Sequence, residues 1–180
     1  MKEIQGHGVA MITPFKRNGT IDFDALPVIV DHLIAGGVDY IVVLGTTAET
    51  ATLSKEEKIS LVDHIIDANS GRLPLVLGLG GNHTWELLEM FEWFDMSVFS
   101  ALLSVSPYYN KPNQEGLYQH FKIIATHSSL PVILYNVPSR TGVNIAPETV
   151  LRLAKDFKNI VAIKEASGDF QQAQTLIKIC

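Results

Sequence analysis

The stretch Ile160-Val161-Ala162-Ile163-Lys164-Glu165 opens on four apolar residues, three of them β-branched, and closes on two charges. Four apolar residues in a row are too few and too uniform for a surface helix. They read as a strand covered on both faces, the habit of a parallel sheet. The same kind of run begins near Val9 (VAMIT), Tyr40 (YIVVL), Pro74 (PLVLGLG), Ala101 (ALLSV) and Pro131 (PVILY). Six runs thus recur at intervals of about 30 residues, the length of a strand followed by a helix in a βαβ unit.

The segments between the runs carry helix signals. Ser54-Lys55-Glu56-Glu57 has the spacing of a capping box, with Leu61, Ile65 and Ile66 forming an apolar stripe behind it. Thr84 is expected to cap a helix bearing Leu87, Leu88 and Phe91. Gln114 to Ser128 places Leu117, Phe121, Ile124 and Ala125 at helical spacing, and Ala146-Pro147-Glu148 sets a proline at a first helical position. Pro27 predicts that the first helix starts late or kinks. Asp169 is expected to cap a last helix that stops at Cys180.

The fold class that follows is α/β with right-handed crossovers, closed either as an open doubly wound sheet or as a (β/α)8 barrel. No GxGxxG follows the first strand, so the dinucleotide-binding open sheet lacks support. A barrel needs eight units and ~250 residues. The 180 residues hold six. On the barrel reading the whole chain, 1–180, is a single incomplete domain.

Composition narrows the function classes. Hydrophobic residues make up 47% of the chain and charged residues 18%, which excludes disorder and coiled coil. The net charge of −5 argues against a nucleic-acid partner. One cysteine, Cys180, allows no internal disulfide, and no run reaches the ~18 apolar residues of a membrane helix. The start, Met1 to Gly8, lacks the pattern of a signal peptide. A cytoplasmic globular protein is expected. The six histidines show no HxxxH or HxH spacing, so no metal site and no cofactor is expected. Asp22, Asp24 and Asp31 read as cap and surface residues, not as a glycosidase pair.

In either α/β architecture ligands gather where strands end. Lys164 is the most informative residue there, because it alone among the lysines follows a strand-like run. A lysine buried in a barrel is costly to keep charged, and a neutral amine attacks carbonyls to form a Schiff base. The plainer explanation is a lysine at a strand end, paired with Glu165. Tyr135 closes the preceding run and offers a phenol for proton transfer, or merely a buried ring with a bonded hydroxyl. Thr46 and Thr47 follow a glycine and offer hydroxyls and backbone N–H groups to a carboxylate, or form an ordinary loop. Arg140 has the fork that grips a second carboxylate, or is a surface arginine.

Four motifs, in order and along the whole chain, carry a resemblance: Gly45-Thr46-Thr47-Ala48-Glu49, Pro107-Tyr108-Tyr109-Asn110-Lys111-Pro112, Tyr135 to Gly142 (YNVPSRTG) and Ile163 to Gly168 (IKEASG). Together they resemble the dihydrodipicolinate synthase (4-hydroxy-tetrahydrodipicolinate synthase) family of pyruvate-dependent class I aldolases, the superfamily that includes N-acetylneuraminate lyase. The resemblance implies a (β/α)8 barrel that condenses pyruvate with L-aspartate 4-semialdehyde in lysine (diaminopimelate) biosynthesis. It implies that Lys164 forms the imine, that Tyr135 is the central proton carrier, and that Thr46 links Tyr135 to Tyr109 of a neighbouring subunit. Thr47 would hold the pyruvate carboxylate and Arg140 the semialdehyde carboxylate. The implied assembly is a homotetramer, a dimer of dimers. In bacterial members of the family lysine can bind at the dimer interface, and the matching positions here are Lys55, Lys58, Asn82, Glu86 and Tyr108. Lysine-sensitive relatives often carry histidine where Lys55 and Lys58 stand, so weak or absent lysine inhibition is expected.

Two features depart from the family pattern. Ala48 replaces a usual glycine, which would strain the loop if that position needs a positive φ. The family also continues for two more βα units, so the chain reads as truncated, with exposed strand edges and poor solubility expected. Two other functions compete. One is a sister lyase acting on N-acetylneuraminate or keto-deoxy sugar acids. Thr46-Thr47 and Arg140 disfavour it, because sialic acid lyases typically have Ser-Thr in the first motif and no arginine at the second site. The other is an inactive truncated chain that acts only by association.

Overall fold

A computed structural model describes residues 4–179, so Met1, Lys2, Glu3 and Cys180 lie outside the described residues. All six expected strands form, and each is followed by helix. The chain makes two compact units. One comprises the chain up to Gly78 together with Ser97–Ser100; the other comprises Leu79–Met96 and the chain from Ala101 onward.

In the first unit β1 (Gly8–Ala10), β2 (Tyr40–Val43) and β3 (Leu75–Gly78) pair in chain order, all parallel. Helices α1 (Leu26–Ala35) and α2 (Lys55–Asn69) form the crossovers and pack on each other. Pro27 sits in the first turn of α1, where no backbone donor is needed. The helix therefore starts on time rather than late. The capping box of α2 is complete: the Glu57 N–H donates to Ser54 Oγ at 3.1 Å, and the Ser54 N–H donates to Glu57 Oε2 at 2.8 Å. Leu61 and Ile65 of the predicted stripe are buried. At the end of β3, a Cβ on Gly78 would stand 2.6 Å from the Leu44 carbonyl oxygen. Only glycine lets the backbone leaving β2 pass this close.

In the second unit β4 (Ala101–Val105), β5 (Val132–Asn136) and β6 (Ile160–Glu165) are again parallel and paired in order. Its helices are α3 (Thr84–Glu89), α4 (Gln114–His127), a single turn α5 (Pro138–Thr141), α6 (Pro147–Asp156) and α7 (Phe170–Ile179). Leu117, Phe121 and Ile124 of α4 are fully buried. Asp169 caps α7 as expected, accepting from the N–H groups of Gln171 and Gln172 at 2.9 and 3.0 Å. Among the described residues no helix is long and apolar enough to cross a membrane.

Helix α3 corrects one expectation. Its cap is the imidazole of His83, which accepts from the Glu86 N–H at 3.2 Å. Instead the Thr84 hydroxyl oxygen lies 2.8 Å from Nδ1 of His120 on α4. His120 is buried, and its Nε2 has no hydrogen-bond partner among the described residues. A buried N–H without a partner is costlier than a bare lone pair, so we assign the tautomer with hydrogen on Nδ1, donating to Thr84. Burial pushes the His120 pKa from its usual 6.5 down to about 4.

That depression makes stability fall with acid. Between about pH 6.5 and pH 4 the unfolded chain takes up a proton that the folded chain refuses. The contribution is complete above pH 6.5, declines as pH falls toward 4, and is on the order of 3 kcal/mol. Urea unfolding of the protein at pH 7 and pH 5, compared with His120→Gln, should show a smaller pH difference in the variant. Equal pH differences would show that His120 does not carry the effect.

Candidate active site

The geometry of β5 and β6 determines which side chains meet. Val132 lies opposite Ile160, but Ile133 lies opposite Ala162. Val161 is therefore the extra residue of a bulge. Beyond it Tyr135 faces Lys164 and Asn136 faces Glu165. Without the bulge Ile163 would stand opposite Tyr135, and Lys164 would turn to the other side of the sheet. With it, Lys164 and Tyr135 share one face, and Lys164 Nζ lies 4.7 Å from the centroid of the Tyr135 ring. An ammonium over a phenol ring at this distance is a cation–π contact, and it sets the amine beside the phenol.

Burial at this site differs from expectation. Tyr135 is buried, but Val161, Ala162 and Lys164 are exposed. Among the described residues β6 is bonded to β5 alone and is an edge strand. The reading of every run as covered on both faces therefore fails for β6, and so does the expected burial of Lys164. Pairing with Glu165 is not what holds Lys164 either. The Glu165 side chain lies on the opposite face and accepts from Asn136 Nδ2, Gln172 Nε2 and the Ser167 N–H. Partial burial pushes the Glu165 carboxyl up, but these donors outweigh it and hold it below the usual carboxylate range.

Tyr109 and Arg140 lie on the segments that leave β4 and β5. Tyr109 is 89% exposed and adopts φ +71°. A left-handed tyrosine costs on the order of 1 kcal/mol or more and persists only where its surroundings impose it. Arg140 is exposed on α5. Gly142 follows with φ +74°, and a Cβ there would lie 2.8 Å from Lys111 Cε. The backbone conformation requires glycine, whereas the end of the flexible lysine side chain could move aside.

In the first unit, Thr46 and Thr47 are exposed on a short turn of helix, Thr46–Ala48, after β2. The left-handed residues are Leu44 (φ +53°) and Glu49 (φ +56°), on either side of it. Ala48 itself is buried in the turn, and its carbonyl accepts from the Thr13 hydroxyl at 2.7 Å. The strain considered for alanine at this position therefore does not arise. Lys55 is exposed at the start of α2, and Lys58 is partly buried, with desolvation pushing its ammonium pKa down. In the second unit Asn82 accepts through its carbonyl from Asn110 Nδ2 at 3.2 Å, while Glu86 and Tyr108 are exposed.

Sequence reasoning passed over Asn136, Asn144 and Gln172, which surround Glu165. Asn136 is fully buried at the end of an apolar strand. An amide in that position was a signal that a polar network awaited it.

In each unit the parallel strands pair in chain order, without the reversal of a doubly wound sheet, and with an amine and a phenol side by side at the ends of adjacent strands this is an α/β protein of the (β/α)8 barrel class. Residues 3–180 match the dihydrodipicolinate synthetase family, and the chain belongs to that family. The 4-hydroxy-tetrahydrodipicolinate synthase of Flavobacterium psychrophilum is 61% identical over 178 residues, which is 99% of this chain and 61% of the relative. The solved 4-hydroxy-tetrahydrodipicolinate synthase from Methylacidiphilum fumariolicum SolV superposes with a TM-score of 0.93 at 44% identity, over 99% of this chain and 59% of that one. The chloride-inhibited dihydrodipicolinate synthase from Acinetobacter baumannii, solved in complex with pyruvate, gives 0.92 at 45% identity, over 98% and 60%. The chain thus spans about three fifths of the length of the curated relatives it matches.

Proposed function

We propose that this protein is a cytoplasmic lyase that joins pyruvate to L-aspartate 4-semialdehyde through a Schiff base on Lys164, in lysine (diaminopimelate) biosynthesis. The observation that carries the reading is Lys164 Nζ beside the Tyr135 ring, 4.7 Å from its centroid. The relatives' names support the reaction, and the pyruvate held by the Acinetobacter baumannii enzyme supports the first substrate.

Once deprotonated, the amine of Lys164 adds to the ketone carbon, and loss of water leaves the imine. Removal of a methyl proton gives the enamine, whose carbon adds to the aldehyde of the second substrate. Tyr135 is assigned to carry protons in these steps. Thr46 is assigned to proton relay with Tyr109, Thr47 to the pyruvate carboxylate and Arg140 to the semialdehyde carboxylate. Tyr109 is assigned to a neighbouring subunit of a homo-oligomer, a dimer of dimers. Its near-complete exposure and imposed backbone conformation support that assignment. Sodium borohydride reduction in the presence of labelled pyruvate tests the reading. One label on the peptide bearing Lys164 is expected, and an unlabelled chain would refute it.

Weak feedback by lysine belongs to the same proposal. Lys55 and Lys58 bring two ammonium groups to the positions matched to the lysine site, and each close pair of like charges repels by about 1 kcal/mol even in water-like surroundings. Half-inhibition by L-lysine is expected well above a millimolar. A value below about 1 mM, an affinity worth roughly 4 kcal/mol, would overturn it.

A further inference from the structure

Behind the sheet face that carries Lys164 and Tyr135, a set of amides is ordered by one carboxylate. The Ile145 N–H donates to Asn136 Oδ1 at 3.0 Å, which fixes the orientation of that amide. Asn136 Nδ2 then points at Asn144 Oδ1, 2.7 Å away, and at Glu165 Oε2, 2.9 Å away. With its oxygen so engaged, Asn144 donates through Nδ2 to Gln172 Oε1 at 2.7 Å. Gln172 is left with Nε2 facing Glu165 Oε2 at 2.8 Å. Every donor in the set ends on Glu165 or on an amide oxygen, and only a group that accepts on both oxygens fits position 165. Glu165 follows Lys164 on β6, and Asn136 follows Tyr135 on β5. Asn144 and Ile145 lie on the segment that follows Arg140.

We propose that Glu165 is a positioning residue that, through Asn136, Asn144 and Gln172, holds the Arg140 segment in register with the strand bearing Lys164. The inference rests on the roles assigned to Lys164 and Arg140 above. Lys164 is kept in place independently, because the β5–β6 ladder pairs it with Tyr135. Loss of the carboxylate should therefore disturb the second substrate more than the first. In Glu165→Gln the new amide must present NH2 to Gln172 Nε2 or to the Ser167 N–H, a donor against a donor. Neither Asn136 nor Asn144 can turn over to relieve it without giving up the bonds just described.

The test measures two quantities on the protein and on Glu165→Gln: the rate of borohydride-trapped imine formation with pyruvate, and KM for L-aspartate 4-semialdehyde. Trapping is expected within about twofold of the unmodified protein, with the semialdehyde KM raised about tenfold, a difference of roughly 1.4 kcal/mol. The double variant Glu165→Gln with Gln172→Glu exchanges carboxylate and amide and restores a matched donor and acceptor between the two positions. It should bring the KM back to within about threefold. An unchanged KM in the single variant, equal losses in both quantities, or no recovery in the double variant would overturn the inference. Should Glu165→Gln fail to fold, Asn144→Ala removes an exposed link of the set and must give the same selective rise in KM; no rise overturns the inference. Absence of trapping in the unmodified protein would remove the functional reading and this inference together. Trapping with an unmoved KM would remove this inference alone.

Discussion

Lys164→Ala should abolish the pyruvate adduct completely. Reduction of an imine replaces the ketone oxygen of pyruvate with a bond to the lysine nitrogen and adds two hydrogens, one from borohydride and one from water. The product is a stable secondary amine that survives digestion and mass analysis. Among the described residues no other lysine ends an apolar strand beside a tyrosine. Among the described residues the other lysines lie on helices, turns and loops, without a phenol across a ladder to move the proton. The expected loss is therefore total for the adduct, and at least several orders of magnitude for turnover, because a covalent step has no partial substitute when its nucleophile is missing. A wild-type yield of adduct in Lys164→Ala would show that the reactive amine lies elsewhere. Tyr135 provides an internal control. Tyr135→Phe keeps the ring beside Lys164 and removes only the hydroxyl, so it should slow imine formation while leaving the adduct on the same peptide.

Arg140→Ala is expected to lower kcat/KM for L-aspartate 4-semialdehyde about 100-fold and to change pyruvate trapping by less than about threefold. A guanidinium gripping a carboxylate by two parallel bonds contributes roughly 3 kcal/mol, and each 1.4 kcal/mol is a factor of ten. Arg140 stands exposed on a turn whose neighbours are already fixed by other bonds. Thr141 Oγ1 donates to the Val143 carbonyl at 2.9 Å, and the Gly142 N–H donates to the Pro138 carbonyl at 2.9 Å. Removing the guanidinium therefore leaves the turn intact, and the loss reads as substrate recognition. Arg140→Lys should recover only part of it, since a point charge cannot reproduce the planar fork. Equal losses for both substrates would mean that Arg140 supports the segment and does not read the second carboxylate. The sister lyases are tested separately. Cleavage of N-acetylneuraminate or a keto-deoxy sugar acid by the unmodified protein, with no turnover of the semialdehyde, would favour that reading instead.

Much of this molecule is decided by short-range chemistry and is legible along the chain. Six apolar β-branched runs become six parallel strands because such residues pack well on a pleated surface and poorly in a helix. Ser54 and Glu57 close a capping box, and Asp169 caps α7, because each needs only partners three residues away or fewer. Pro27 and Pro147 lie in first turns for the same local reason. The candidate residues were legible too, since Lys164 and Tyr135 close their runs in full view.

What the sequence alone left open depends on partners far apart in the chain. Whether Lys164 and Tyr135 share a face is decided by one extra residue, Val161, in the ladder between β5 and β6. Strand periodicity has a step of two, so a shift of one exchanges the faces, and no local signal states the register. The freedom of Thr84 to bond His120 rather than cap its own helix came from α4, 36 positions away. Lys164 is exposed because burial of a strand residue depends on what lies beside its strand, and β6 bonds only to β5 among the described residues. Glu165 looked like the natural partner of Lys164, its neighbour in sequence. Alternation along the strand put it on the other face, where Asn136, Gln172 and a backbone N–H supply its hydrogen bonds.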